Sequence, residues 1–268
     1  MLPPPERRRR ARGAPAVLVA VAGLIAIVSP VRAEGDAPKA TEEASPSVAP
    51  PSVAPPSVAP PATVPPGVRV KGKRCREQRA QDFLVRGNWF KGDARKQNEM
   101  LAAAIRYRTE KYGYFEGYGN AAWNKNTPRS QAESTTFMGM PVQVNKRIIP
   151  ALECVEAALK ANGAAAQYAP RSIGGIRFKN TYRGSEVSNH VYGIAIDIEP
   201  DRNTCCGCVP PWNEHPLCKK KGTPYDRMAM PRSWVETFER YGFYWLGHDV
   251  LQDTMHYEFL GDPDTILE

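Results

Sequence analysis

Two short stretches of the 268-residue chain put acid and imidazole groups into apolar surroundings. In "SNHVYGIAIDI", residues 188–198, Ile194, Ile196 and Ile198 alternate with Ala195 and Asp197, and His190 lies seven residues before the aspartate. Such alternation predicts a strand with one buried face, on which Asp197 points with Ala195, opposite the isoleucines. Gly193 breaks the run and lets the backbone bend, so that His190 can come back over the face of Asp197. In "DTMHYEF", residues 253–259, His256 and Glu258 share one face of a second strand, and Asp253 precedes the histidine by three. A buried carboxylate is costly without a partner, so Asp197 needs a cation beside it. His190, Asp197 and His256 make a coordination set for a catalytic zinc, with a fourth position left for water. Asp253 and Glu258 are both candidates to take the proton from that water. A histidine and an aspartate seven residues apart also occur in strands that hold no metal, so the residues alone leave a structural reading open.

The elements that must position these groups are partly visible. "KQNEMLAAAIRYRTEKYG" (96–113) reads as a helix stopped by Gly113, and 114–136 reads as a long irregular connection. Over 144–163, Ile148, Leu152, Val155 and Leu159 recur at helical spacing, with Pro150 near the first turn or marking a kink and Asn162-Gly163 as the stop. Cys154 lies beside that stripe, as a disulfide partner or a core thiol. "PRSWVETFERYG" (231–242) is another helix, with Trp234, Phe238 and Tyr241 on its inner face. "GFYWLG" and "MHYEFLG" follow as strands. The whole reads as an α+β domain with a small antiparallel sheet packed against helices.

The pattern S-x-H-x-x-G-x-A-x-D, then Gly-Phe-x-Trp, then D-x-x-H-x-E, resembles the D-alanyl-D-alanine carboxypeptidase-like zinc peptidases. That group takes in VanY-like carboxypeptidases and L-alanyl-D-glutamate endopeptidases, and shares its fold with the lysostaphin and hedgehog proteins. The residues that match are Ser188, His190, Gly193, Ala195 and Asp197, then "YGFYW" (241–245), then Asp253, His256 and Glu258. "TTFMGMPVQVNKRI" (135–148) and Gly174-Gly175 are similar to the family as well, so the resemblance spans roughly residues 95 to 262. It implies zinc on His190, Asp197 and His256, Asp253 as general base, and Glu258, with Ser188, as a residue that supports a ligand. It implies hydrolysis of a peptide bond in the stem peptides of bacterial peptidoglycan, D-Ala-D-Ala or L-Ala-D-Glu. A non-catalytic wall-binding module that keeps its zinc is the alternative. The family's substrate-binding arginine, aligned without gaps, falls on Lys179, with Arg177 and Arg183 close by. Lysine keeps the charge but not the bidentate fork, so all three remain candidates. The Trp-Gly-Gly usual in the family reads "WLG" here (245–247), with His248 just beyond, in a surface or stacking place.

The remainder of the chain bears on location. Residues 1–33 read as an export signal: a basic start, the apolar run 14–28, and "VRA" before Glu34. Residues 34–67 read as a Pro-rich linker in which "PSVAP" occurs at 46–50, 51–55 and 56–60, and residues 68–268 as the peptidase-like domain. Six arginines against Glu6 place +5 of the formal +8 within residues 1–33, which leaves +3 for the rest. So weak an excess argues against a nucleic-acid partner. The expectation is a monomer exported to the periplasm or cell envelope, or secreted, that touches the membrane only if the signal stays uncleaved. In an exported chain the six cysteines favour disulfides. That includes "CCGCVPPWNEHPLC" (205–218), where four cysteines and His215 could otherwise hold a structural zinc.

Overall fold

A computed structural model of the chain describes residues 67–89, 91–182 and 186–268. The signal and all but the last residue of the linker lie outside the described residues, as does Arg183.

A small antiparallel pair, β1 (Arg69–Val70) and β2 (Lys73–Arg74), opens the described part. It is pinned to the chain end by Arg74 N donating to Glu268 O at 2.9 Å, and to the helix over Ile149–Ala161 by the Cys75–Cys154 disulfide. Helices α1 (Arg86–Trp89) and α2 (Ala94–Tyr112) follow. The Asp93 side chain caps α2 by accepting from Lys96 N at 2.9 Å, and Gly113 ends it.

The stretch read as wholly irregular, 114–136, closes with β3 (Ala132–Phe137), which pairs with β4 (Met140–Asn145). The two-residue turn is Met138-Gly139, both at positive φ (50° and 79°), which matches the twist of a tight hairpin. Because β4 uses residues up to Asn145, α3 begins at Ile149 rather than at 144, after a short 3-10 turn. Pro150 does sit in its first turn, and Asn162 caps its end.

The sheet that matters for the site has four antiparallel strands: β5 (Ile173–Gly174), β6 (Ala195–Ile198), β7 (Phe243–Trp245) and β8 (His256–Phe259), in the order β5-β6-β8-β7. One face is the core. Ile196, Ile198, Tyr257, Phe259, Phe243 and Trp245 pack there with α3 and with α4 (Arg232–Arg240). Phe238 of α4 stacks on Tyr257 at 4.3 Å and meets Phe243 edge-on at 5.1 Å. Burial of this aromatic cluster holds the sheet against the helices. Period-two alternation then forces Ala195, Asp197, His256 and Glu258 onto the opposite face. The fold is α+β, as the sequence indicates.

Candidate metal centre and its cleft

β6 and β8 pair so that Asp197 faces His256 and Ala195 faces Glu258. His190 reaches the same spot from a turn: Val191 N donates to Ser188 O at 2.9 Å and Gly193 N to His190 O at 3.0 Å. Gly193 takes φ 69°, and a Cβ there would lie 2.7 Å from Asn145 N, so only glycine lets the turn dock on β4.

His190 Nδ1 is 2.7 Å from Gly175 O, which can only accept, so Nδ1 carries the proton and Nε2 presents a lone pair. His256 Nε2 is 3.1 Å from Glu258 Oε1, so by the same logic Nδ1 is the free acceptor. These two lone pairs and Asp197 Oδ1 converge. Separations are 3.1 Å between the imidazole nitrogens, 2.8 Å from His256 Nδ1 to Asp197, and 3.2 Å from His190 Nε2 to Asp197. Three acceptors cannot satisfy one another, so a proton or a cation must lie among them. Burial alone would raise the Asp197 pKa; a proton held between its carboxylate and His190 and His256, in the place a cation would take, outweighs this and keeps it far below the ordinary carboxylate range. Burial lowers His190. Two imidazole nitrogens and one carboxylate oxygen, all buried, are a donor set that suits zinc.

A cavity of about 600 Å³ opens over this cluster. Its floor includes His190, Asp197, Asp253 and His256, and one wall carries Val209 and Trp212. Ser188, itself buried, also lines it. Of the three basic candidates, Arg177 lines the cavity and its guanidinium pairs with the outer oxygen of Asp197. Lys179 is exposed and lies outside the lining. Asp253 is 9% exposed, and its Oδ1 has no hydrogen-bond partner. Burial pushes its pKa up to about 6. A larger hollow of about 830 Å³, between the N-terminal segment and α4, contains no histidine or cysteine in its lining.

Residues 182–259 match the model of the D-alanyl-D-alanine carboxypeptidase family. That stretch holds His190, Asp197, Asp253, His256 and Glu258. The segment is thus similar to the peptidases of that family. The match is narrower than the stretch over which the motifs resemble the family. Neither a curated protein nor a solved structure matches the chain.

Behind the matched segment lies a support that the motifs did not indicate. Glu258, 2% exposed, meets Arg86 of α1 at 3.5 Å, and Arg108 of α2, fully buried, adds its charge. Burial would raise the Glu258 pKa; the bond to His256 and the charges of Arg86 and Arg108 outweigh it and bring it to about 2. Arg86 is itself held by Glu186 at 3.4 Å and lies over the Tyr182 ring at 4.7 Å. Helices far upstream in sequence thus fix the protonation of an imidazole in the peptidase segment. In the cysteine loop the disulfides are Cys205–Cys208 and Cys206–Cys218, so no thiolate is left there for a second metal. His248 pairs with Glu239 at 2.9 Å and meets Trp245 edge-on at 5.1 Å, away from the cleft lining.

Proposed function

We propose that this protein is a zinc-dependent peptidase that hydrolyses a peptide bond in bacterial peptidoglycan stem peptides. The observation that carries the reading is the convergence of three lone pairs, from His190 Nε2, His256 Nδ1 and Asp197 Oδ1, with both imidazole protons directed outward. Zinc, when bound, polarises the scissile carbonyl and acidifies the attacking water. Asp253 takes the proton from that water and delivers it to the leaving amine. Its position three residues before His256, its buried unpaired oxygen and its raised pKa all suit proton transfer near neutrality. Arg177, at the rim of the floor and 45% exposed, presents a planar donor pair to a substrate carboxylate or to the developing oxyanion. Glu258 holds His256 in the tautomer the site requires.

The proposed substrate and location are supported by the family match, by the reading of residues 1–67 as signal and spacer, and by three disulfides, which suit an oxidising compartment. The test is digestion of purified peptidoglycan with mass analysis, with and without a chelator. Free D-alanine marks a carboxypeptidase, and a new glutamate amino terminus marks an endopeptidase. Absence of bound zinc, or undiminished hydrolysis by Asp253→Ala, contradicts the reading; wall binding without hydrolysis supports the non-catalytic module.

A further inference from the structure

The loop after β6 is built as a rigid wall. Its first limb runs beside residues 250–254: Thr254 N donates to Thr204 O at 3.0 Å, the Thr254 hydroxyl donates to the same oxygen at 2.9 Å, and Gly207 N donates to Leu251 O at 2.6 Å. The approach is so close that a Cβ on Gly207 would lie 2.5 Å from Val250 O and 2.6 Å from Leu251 O. Cys205–Cys208 closes the turn, and Cys206–Cys218 ties back the outer limb that carries Trp212. The hydroxyl of Thr204 donates to Trp212 O at 3.4 Å. Covalent bonds and backbone pairing, rather than a core, hold this loop.

What the wall shows to the cleft is apolar. Gly207, Cys208, Val209 and Trp212 line the cavity, and Leu251 and Met255 continue the surface towards the floor. Val209 is 75% exposed and Trp212 40% exposed, so packing within the loop does not account for them. The ionic groups of the cleft, Arg177, His190, Asp197, Asp253 and His256, all come from other segments. The loop's share of the lining is therefore hydrocarbon, and the charge in the cleft is supplied from elsewhere in the chain.

We propose that Val209 and Trp212 form a specificity subsite for an uncharged aliphatic side chain of the peptide, next to the scissile bond. This rests on the peptidase reading above. An aliphatic group gains by leaving water against valine and indole, whereas a carboxylate or ammonium loses hydration there with no counter-charge on the wall. Neither residue takes part in the chemistry; both act on substrate choice.

The experiment uses zinc-loaded full-length protein and a series of acylated peptides. The residue beside the scissile bond is varied among alanine, norvaline, glutamate and lysine. Hydrolysis is read as kcat/KM, and binding of the same peptides is read by calorimetry. The wild type should favour the aliphatic residues over the charged ones by about tenfold or more. In Trp212→Ala with Val209→Ser that preference should fall to less than about threefold, through KM, with zinc content and circular dichroism unchanged. Trp212→Phe should keep most of it. An unchanged preference in the double variant overturns the proposal. If the wild type binds the peptides but hydrolyses none, the peptidase reading falls, and discrimination in the calorimeter still decides the wall. Absence of both binding and hydrolysis overturns both.

Discussion

Asp197 on β6 stands directly opposite His256 on β8, and its Oδ1 lies 2.8 Å from the histidine's Nδ1. This is a cross-strand pair in which the usual sheet spacing brings two acceptors together. Only a positively charged occupant makes it favourable.

The first prediction concerns that occupant. Zinc should bind with a stoichiometry of about one in metal analysis. His190→Ala or His256→Ala should abolish binding. Glu258→Gln, which removes no coordinating atom, should weaken affinity by roughly 10- to 100-fold, because His256 loses its charged anchor. Competition with a chromogenic chelator measures all three. Equal affinity in Glu258→Gln would remove the orienting role.

Asp253 should separate activity from stability. Its pKa is raised by burial to about 6 from an ordinary 3.8. The folded state therefore holds a proton more tightly than the unfolded chain, and stability falls as pH rises from about 4 to about 6. In metal-free protein at pH 7, Asp253→Asn should be stabilised by roughly 2–3 kcal/mol in denaturant melts. The same variant should lose hydrolysis by about a hundredfold or more.

The same group sets the acid limb of the rate profile. A general base works when deprotonated, so kcat/KM should climb with pH through about 6. Residual activity of Asp253→Ala should show no such limb. A limb of the same midpoint in that variant would assign it to another group.

Arg86 should matter for folding although it lies outside the cleft floor. Arg86→Met leaves Glu258, 2% exposed, with its charge poorly matched, at a cost of roughly 3 kcal/mol. Thermal denaturation of Arg86→Met, Glu258→Gln and the double variant measures the coupling. The double variant should be less destabilised than the sum of the two.

The three disulfides should differ in kind. Cys75–Cys154 spans 79 residues, and by chain entropy its loss should cost about 4 kcal/mol. Cys205–Cys208 spans three, which gives less than half of that, so its removal should show mainly in substrate preference. Paired Cys→Ser variants, compared by melting and by the peptide series, test the distinction.

Much of the site was legible because it is local. Alternation in residues 194–198 fixes the face of Asp197, and the glycine at 193 accounts for the return of His190. Helices α3 and α4 declared themselves through apolar stripes and terminal signals. The β3–β4 hairpin did not, since Ala132–Phe137 is mostly polar and half exposed, and its turn uses Met138 where asparagine would have been a signal. Arg86 and Arg108 were invisible for another reason. Their role depends on where α1 and α2 dock, 172 and 150 residues from the glutamate they serve, and no spacing rule reaches that far. That Arg177 and not Lys179 lines the cavity depends on the path of an irregular segment, which no periodicity reveals.

The two closest acceptors of the cluster, on Asp197 and His256, are 59 positions apart in the chain, and the two histidines 66. On the zinc reading proposed above, no part of the chain shorter than this stretch could hold the ion, so capture would wait until β6 and β8 have found each other. Metal uptake is then a late event in assembly and a clock for it. Mixing unfolded chain with zinc under refolding conditions should give a lag in ion capture that matches closure of the sheet, and once captured the ion holds the two strands together against reopening.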